Sequence, residues 1–210
     1  MFNLSRLTGD RRYLDFCVNQ RALAAWDLGI VIGRRPLIEG HIYAYLCRCL
    51  AQLELYRSMP EPKLQRQSKR AAAFMTCGDG MAVTGGCGQW EIWTDDQDSR
   101  DALAETCATA YQVRWLDSLL RLHGSSHYGD LMERTIYNSL FGALSPDGRK
   151  IRYYSAMEGD RVYHVGDSYC CPCNYRRIIA ELPTMVYYRD GDGVFVNLYS
   201  ESEAKIDLGV

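Results

Sequence analysis

Three thiols crowd into four positions at Cys170-Cys171-Pro172-Cys173, followed by Asn174-Tyr175-Arg176-Arg177. Adjacent cysteines make a strained disulfide, because the bridge wants Cα atoms about 4.4–6.8 Å apart and a defined torsion. Two neighbouring thiolates can instead reach one soft cation, at about 2.3 Å for zinc. Such a pair needs further ligands from elsewhere. Glu105 and Cys107, in Ala104-Glu105-Thr106-Cys107-Ala108, are the best candidates. The set then offers three sulfurs and one carboxylate, enough for a tetrahedral site. The competing reading is that these cysteines are small buried hydrophobes.

Two other groups could take part in chemistry. Glu91 sits in Trp90-Glu91-Ile92-Trp93. Aromatic faces bind sugar rings, and an apolar wall raises a carboxyl pKa towards the range of a general acid. The plainer alternative is a loop glutamate beside two packing aromatics. His41 follows Gly40 in the first turn of an expected helix, where a side chain can face a ligand or bond locally.

The elements that must position these groups are mostly helices. Asp10 is placed to cap a helix carrying Tyr13, Leu14, Phe16 and Cys17. After a break over Gly33–Pro36, apolar spacing predicts a helix over Leu37–Arg57 and another over Lys63–Met75. Thr76–Trp93 reads as a glycine-punctuated loop that brings backbone close to a ligand, without the Gly-Lys-Ser/Thr ending of a phosphate loop. The acidic tract at Asp95, Asp96 and Asp98 reads as a solvated turn. Helices are expected over Ala102–Leu122, Tyr128–Leu144 and Asn174–Leu182. Short strands are expected over Lys150–Met157 and Arg161–Val165, and a hairpin over Met185–Tyr188 and Val194–Tyr199 around Asp190-Gly191-Asp192-Gly193. Residues two apart do not share a helix face. Glu105 and Cys107 can therefore reach one metal only if their helix begins about there.

The 210 residues carry a formal net charge of −2, which leaves no basis for non-specific nucleic-acid binding. Lys63, Arg66, Lys69 and Arg70 read as the solvated face of a helix. No apolar run approaches the roughly 20 residues of a membrane span. Nine cysteines, an odd number, without an apolar stretch behind Met1 lead to the expectation of reduced thiols in a cytoplasmic protein.

Several stretches, taken in order, resemble one known family. They are Gly40-His41, Thr84-Gly85-Gly86 with Glu91, Glu105-Thr106-Cys107-Ala108, Glu133-Arg134 with Tyr137-Asn138, Cys170-Cys171 with Asn174 and Arg177, and Val196-Asn197-Leu198-Tyr199. The chain is similar over nearly its whole length to the β-L-arabinofuranosidases of glycoside hydrolase family 127. The resemblance implies a mainly α fold. It would be part of an (α/α)6 toroid of which about six helices are present, with short strands and a C-terminal hairpin leading towards a β-sandwich. Residues 1–183 would be the later part of the toroid and 184–210 the start of the sandwich, the chain being a piece of a longer enzyme.

The same resemblance implies zinc on Glu105, Cys107, Cys170 and Cys171, with Cys170 as nucleophile and Glu91 as general acid/base. His41 and one of Tyr153 and Tyr154, by position Tyr154, would contact the sugar. Cys173 is a third thiol able to compete for the metal. The implied activity is retaining release of terminal β-L-arabinofuranose from a saccharide, the rest of the pocket coming from a missing N-terminal half or a partner chain. Two alternatives stand beside it: an inactive remnant with a structural zinc, and a carbohydrate-binding module without catalysis.

Overall fold

The computed structural model describes residues 1–35, 38–96, 102–164, 169–191 and 193–208. Seven α-helices lie among them: α1 (Phe2–Thr8), α2 (Arg11–Asp15), α3 (Ile42–Ser58), α4 (Arg66–Cys77), α5 (Thr106–His123), α6 (Ser126–Arg134) and α7 (Cys170–Glu181). A two-stranded antiparallel hairpin follows, β1 (Tyr187–Arg189) on β2 (Val194–Val196), with Tyr188 opposite Phe195.

The central element is α5, which packs against α3, α6 and α7. Its inward residues, Val113, Trp115, Leu116 and Leu119, are fully buried. It stops at Gly124, whose left-handed backbone (φ 64°) lets its N–H bond the carbonyl of Leu120. Trp93 is also fully buried and meets Tyr45 of α3 edge to face at 5.6 Å. It joins the glycine-rich loop to the core.

That loop owes its glycines to crowding. Gly85 (φ 84°) lies under the π-helical turn Thr135–Leu140 that continues α6, and its carbonyl accepts bonds from Gln112 Nε2 (2.7 Å) and Thr135 Oγ1 (3.0 Å). A Cβ on Gly86 would stand 2.4 Å from Ala104 Cβ and 2.5 Å from Ser139 Oγ.

Several boundaries differ from expectation. The helix expected from Leu37 starts at Ile42, so His41 is its N-cap rather than part of its first turn. The helix expected from Asn174 starts at Cys170. Pro172 sits in its first turn, where a missing N–H costs nothing. In place of strands over 150–157 and 161–165 there are isolated bridges, Glu105 with Tyr154 and Ile151 with both Leu144 and His164. These residues pair one at a time with helix ends and loops, so no ladder forms. Leu37, Asp98, Val165 and Asp192 lie outside the described residues.

Gly86→Ala is expected to destabilise the fold by about 1–3 kcal/mol through overpacking, measured by urea unfolding. Wild-type stability in this variant would show that the contact of the loop with Ala104 and Ser139 is not tight.

Candidate active site

Two helix starts converge on one point. Glu105 is the N-cap position of α5, in extended backbone (φ −57°, ψ 134°), and Cys107 lies one residue inside the helix. The condition for both to face one metal is therefore met. Cys170 and Cys171 are the first two residues of α7. The ligand atoms of Glu105, Cys107, Cys170 and Cys171 all lie within 4.8 Å of one another. Cys107 Sγ is 3.5 Å from Cys171 Sγ, which is 4.0 Å from Glu105 Oε1. Cys173 is exposed and outside this group of four.

The environment favours anions there only if a cation is present. Both helices point their positive ends at the cluster, which stabilises thiolates. Burial, followed by the charge of Glu91, pushes the Glu105 carboxyl up to about 7. The bond with Cys171 and burial push the Cys107 thiol up strongly, and burial raises Cys170 to about 11. Glu105 Oε2 is buried and has no hydrogen-bond partner. An orphaned carboxylate oxygen beside three sulfurs is a donor set that a metal ion completes.

A second layer holds the sulfurs. Asn174 Nδ2 donates to Cys107 Sγ at 3.1 Å, and Asn174 Oδ1 accepts from Arg177 at 3.5 Å. Three of the four ligands are buried, whereas Cys170 is exposed.

Glu91 stands close by, through backbone rather than through a helix. The Ile42 N–H bonds its carbonyl at 3.0 Å, and the flanking Gln89 bridges to Ile92 and Leu103. Trp90 (φ 51°), Glu91 (φ 67°), Ala102 (φ 50°) and Ala104 (φ 52°) all have left-handed backbone. Each such residue costs of order 1–3 kcal/mol and is held by its surroundings, a pattern that clusters at functional sites.

The expected tryptophan wall around Glu91 is not what surrounds its carboxylate. Trp93 turns into the core and Trp90 is half exposed, against Tyr154 at 5.8 Å. The partners of Glu91 are polar: Arg35 in an ion pair, the Tyr153 hydroxyl, and His41 Nε2 at 3.6 Å. His41 Nδ1 accepts the Ala44 N–H at 3.3 Å. A neutral His41 therefore carries its proton on Nε2, towards Glu91.

Tyr153 and Tyr154 both lie beside these carboxylates. Tyr153 holds Glu91, and its hydroxyl is raised by burial first and also by Glu105 and Cys170. Tyr154 pairs its backbone with Glu105. Tyr153 stacks on Tyr169 at 5.8 Å, which extends the aromatic rim to the start of α7. Sequence reasoning gave no role to Arg35 or Asn174. Asn174 has a findable signal, one turn after Cys170 on the same helix; Arg35, in an irregular stretch, has none.

The Glu105 shift has a stability consequence for the metal-free chain. Its folded pKa of about 7 lies above the ordinary 4.5, so the folded state holds the proton longer than the unfolded state. Stability is then greatest below about pH 4.5 and falls as pH rises to 7. Metal affinity runs the opposite way, rising with pH as ligand protons leave. Asn174→Ala is expected to weaken metal binding about 10–100-fold by competition with a chromogenic chelator. Unchanged affinity would remove Asn174 from the account.

The family model described as β-L-arabinofuranosidase, GH127 catalytic domain, matches residues 1–184. A non-reducing end β-L-arabinofuranosidase of Bifidobacterium longum subsp. longum is 30% identical over a match covering 53% of this chain and 20% of that protein. Among solved structures, a GH127 β-arabinofuranosidase superposes with a TM-score of 0.79 at 26% identity, over 94% of this chain and 34% of its own. A GH127 β-L-arabinofuranosidase from Geobacillus stearothermophilus T6 gives 0.67 at 30% identity, over 76% of this chain and 28% of its own. The chain thus spans about a third or less of these relatives, and its mainly helical fold is that of the GH127 (α/α)6-type enzymes. On the match of the GH127 catalytic-domain model across residues 1–184, the chain belongs to the β-L-arabinofuranosidase family.

Proposed function

We propose that this chain carries catalytic machinery of a retaining glycosidase that releases terminal β-L-arabinofuranose from a saccharide. Cys170 is the nucleophile, Glu91 the general acid/base, and the metal is zinc. The observation that carries this reading is the contrast within the cluster: Cys170 is exposed while Glu105, Cys107 and Cys171 are buried. Three ligands are closed off and one sulfur is open to a substrate.

Zinc suits three sulfurs and one carboxylate. When bound, it would keep the sulfurs as thiolates near neutral pH and offset their charge. The remaining chemistry belongs to side chains. The Cys170 thiolate attacks the anomeric carbon, and the bond to the leaving oxygen breaks with its electron pair on that oxygen. Glu91 supplies the proton that the leaving oxygen takes up. A water then gives a proton to Glu91 as its oxygen attacks the same carbon, and the carbon–sulfur bond breaks to restore the thiolate. Arg35, Tyr153 and the Nε2–H of His41 stabilise the carboxylate arm of this cycle. Tyr154 and Trp90 offer an aromatic face to the sugar. Residues 1–183 form part of a toroid and 184–210 begin a β-sandwich; the rest of the sugar pocket comes from a further segment or partner chain.

The test is hydrolysis of an aryl β-L-arabinofuranoside by the zinc-loaded chain. Glu91→Gln should lower turnover by about 10²–10⁴-fold, and Cys170→Ser should abolish it while Cys107, Cys171 and Glu105 still retain metal. Hydrolysis that survives Cys170→Ser would overturn the nucleophile assignment. Metal retention with no hydrolysis, when the segment that completes the pocket is also supplied, would give the cluster a structural role.

A further inference from the structure

Beside Tyr154 lies a cleft of about 520 Å³ with Arg152, Val162 and His164 on its walls and the exposed Glu158 and Asp160 at its edge. Arg152 is only 6% exposed. Its Nη2 donates to the Ala156 carbonyl at 3.2 Å, but its Nε–H is buried without a partner. Burial disfavours its charge most, and of its electrostatic neighbours Tyr163 favours the charge while Arg161, another cation, opposes it. A guanidinium cannot shed its charge to escape burial, and a buried charge lacking a counter-ion is costly.

The arginine is held firmly in place. Its N–H bonds the Ala143 carbonyl at 2.8 Å, and its own carbonyl accepts the Thr106 hydroxyl at 2.7 Å. It is thereby fixed to the start of α5, next to Glu105. Two residues on, Tyr154 lines the same cleft and pairs with Glu105, so the cleft opens beside the metal cluster. His164, on the cleft wall, also meets Tyr169 at 5.3 Å, immediately before Cys170. The acids at the edge are exposed, where their field is screened.

We propose that Arg152 is the anion-binding group of a subsite that receives a carboxylate on the portion of the substrate beyond the scissile bond. The link to substrate rests on the glycosidase reading above; the carboxylate site itself does not. The planar fork of the guanidinium matches a carboxylate, and its buried Nε–H has no protein acceptor.

The test is binding, followed on the ¹⁵N-labelled full chain through the Arg152 Nε–H resonance during titration with benzoate or its neutral amide, benzamide. Benzoate should bind at least about ten-fold tighter and shift that resonance. Arg152→Met should erase the preference, and Arg152→Lys, which keeps charge without the fork, should reduce it. Equal affinities in the wild type would overturn the proposal, and so would a full preference in the lysine variant should the methionine variant not fold. Aryl arabinofuranosides with and without a ring carboxylate then separate the two claims. Selective benzoate binding without hydrolysis of either, when the segment that completes the pocket is also supplied, keeps the subsite and sinks the glycosidase reading. Equal hydrolysis of both, with no benzoate preference, does the reverse.

Discussion

Three thiols and a carboxylate packed within 4.8 Å of one another cannot all ionise without a cation between them. Much of the chain serves that arrangement. α5 and α7 each begin at the cluster, so the positive ends of two helices meet where negative charge gathers. The packing of α5 on α7, with the Arg114–Glu181 ion pair across it, fixes the separation between the two ligand pairs. The metal-free protein pays with protons: Glu105 and the thiols of Cys107 and Cys170 are held towards their neutral forms.

The acid/base side of the site is built differently. Glu91 rides on a loop held by single backbone bridges, by the buried Trp93 and by glycines that allow close contact with α5 and the turn after α6. Left-handed residues on both strands of this loop, Trp90 and Glu91 opposite Ala102 and Ala104, turn the carboxylate towards Arg35, His41 and Tyr153. Rigid helices thus position the thiols, and strained backbone positions the carboxylate. A bridge between Glu105 and Tyr154 joins the two halves and continues to the cleft at Arg152.

The parts of this picture legible in the sequence are those carried by short-range pattern. The Glu105–Cys107 and Cys170–Cys171 pairs stand out by residue type, and helical periodicity located α4 and α5 well because long amphipathic faces determine them. Helix starts were less legible. Cys170 looked as if it preceded a helix because Pro172 and polar Asn174 mask the onset, although a proline in the first turn is compatible with it. The stretch 150–164 has strand composition but finds only isolated partners, since pairing depends on what the fold places alongside. Arg35 reaches Glu91 across 56 positions, and no local pattern reports such a contact.

The most direct measurement is peptide mapping by mass spectrometry after the zinc-loaded chain is treated with an electrophilic arabinofuranose analogue. The account expects a single furanosyl adduct on Cys170, with Cys171, Cys107 and the exposed Cys173 unmodified. An adduct spread over Cys173 and Cys77, the other exposed thiols, with Cys170 untouched, would contradict it.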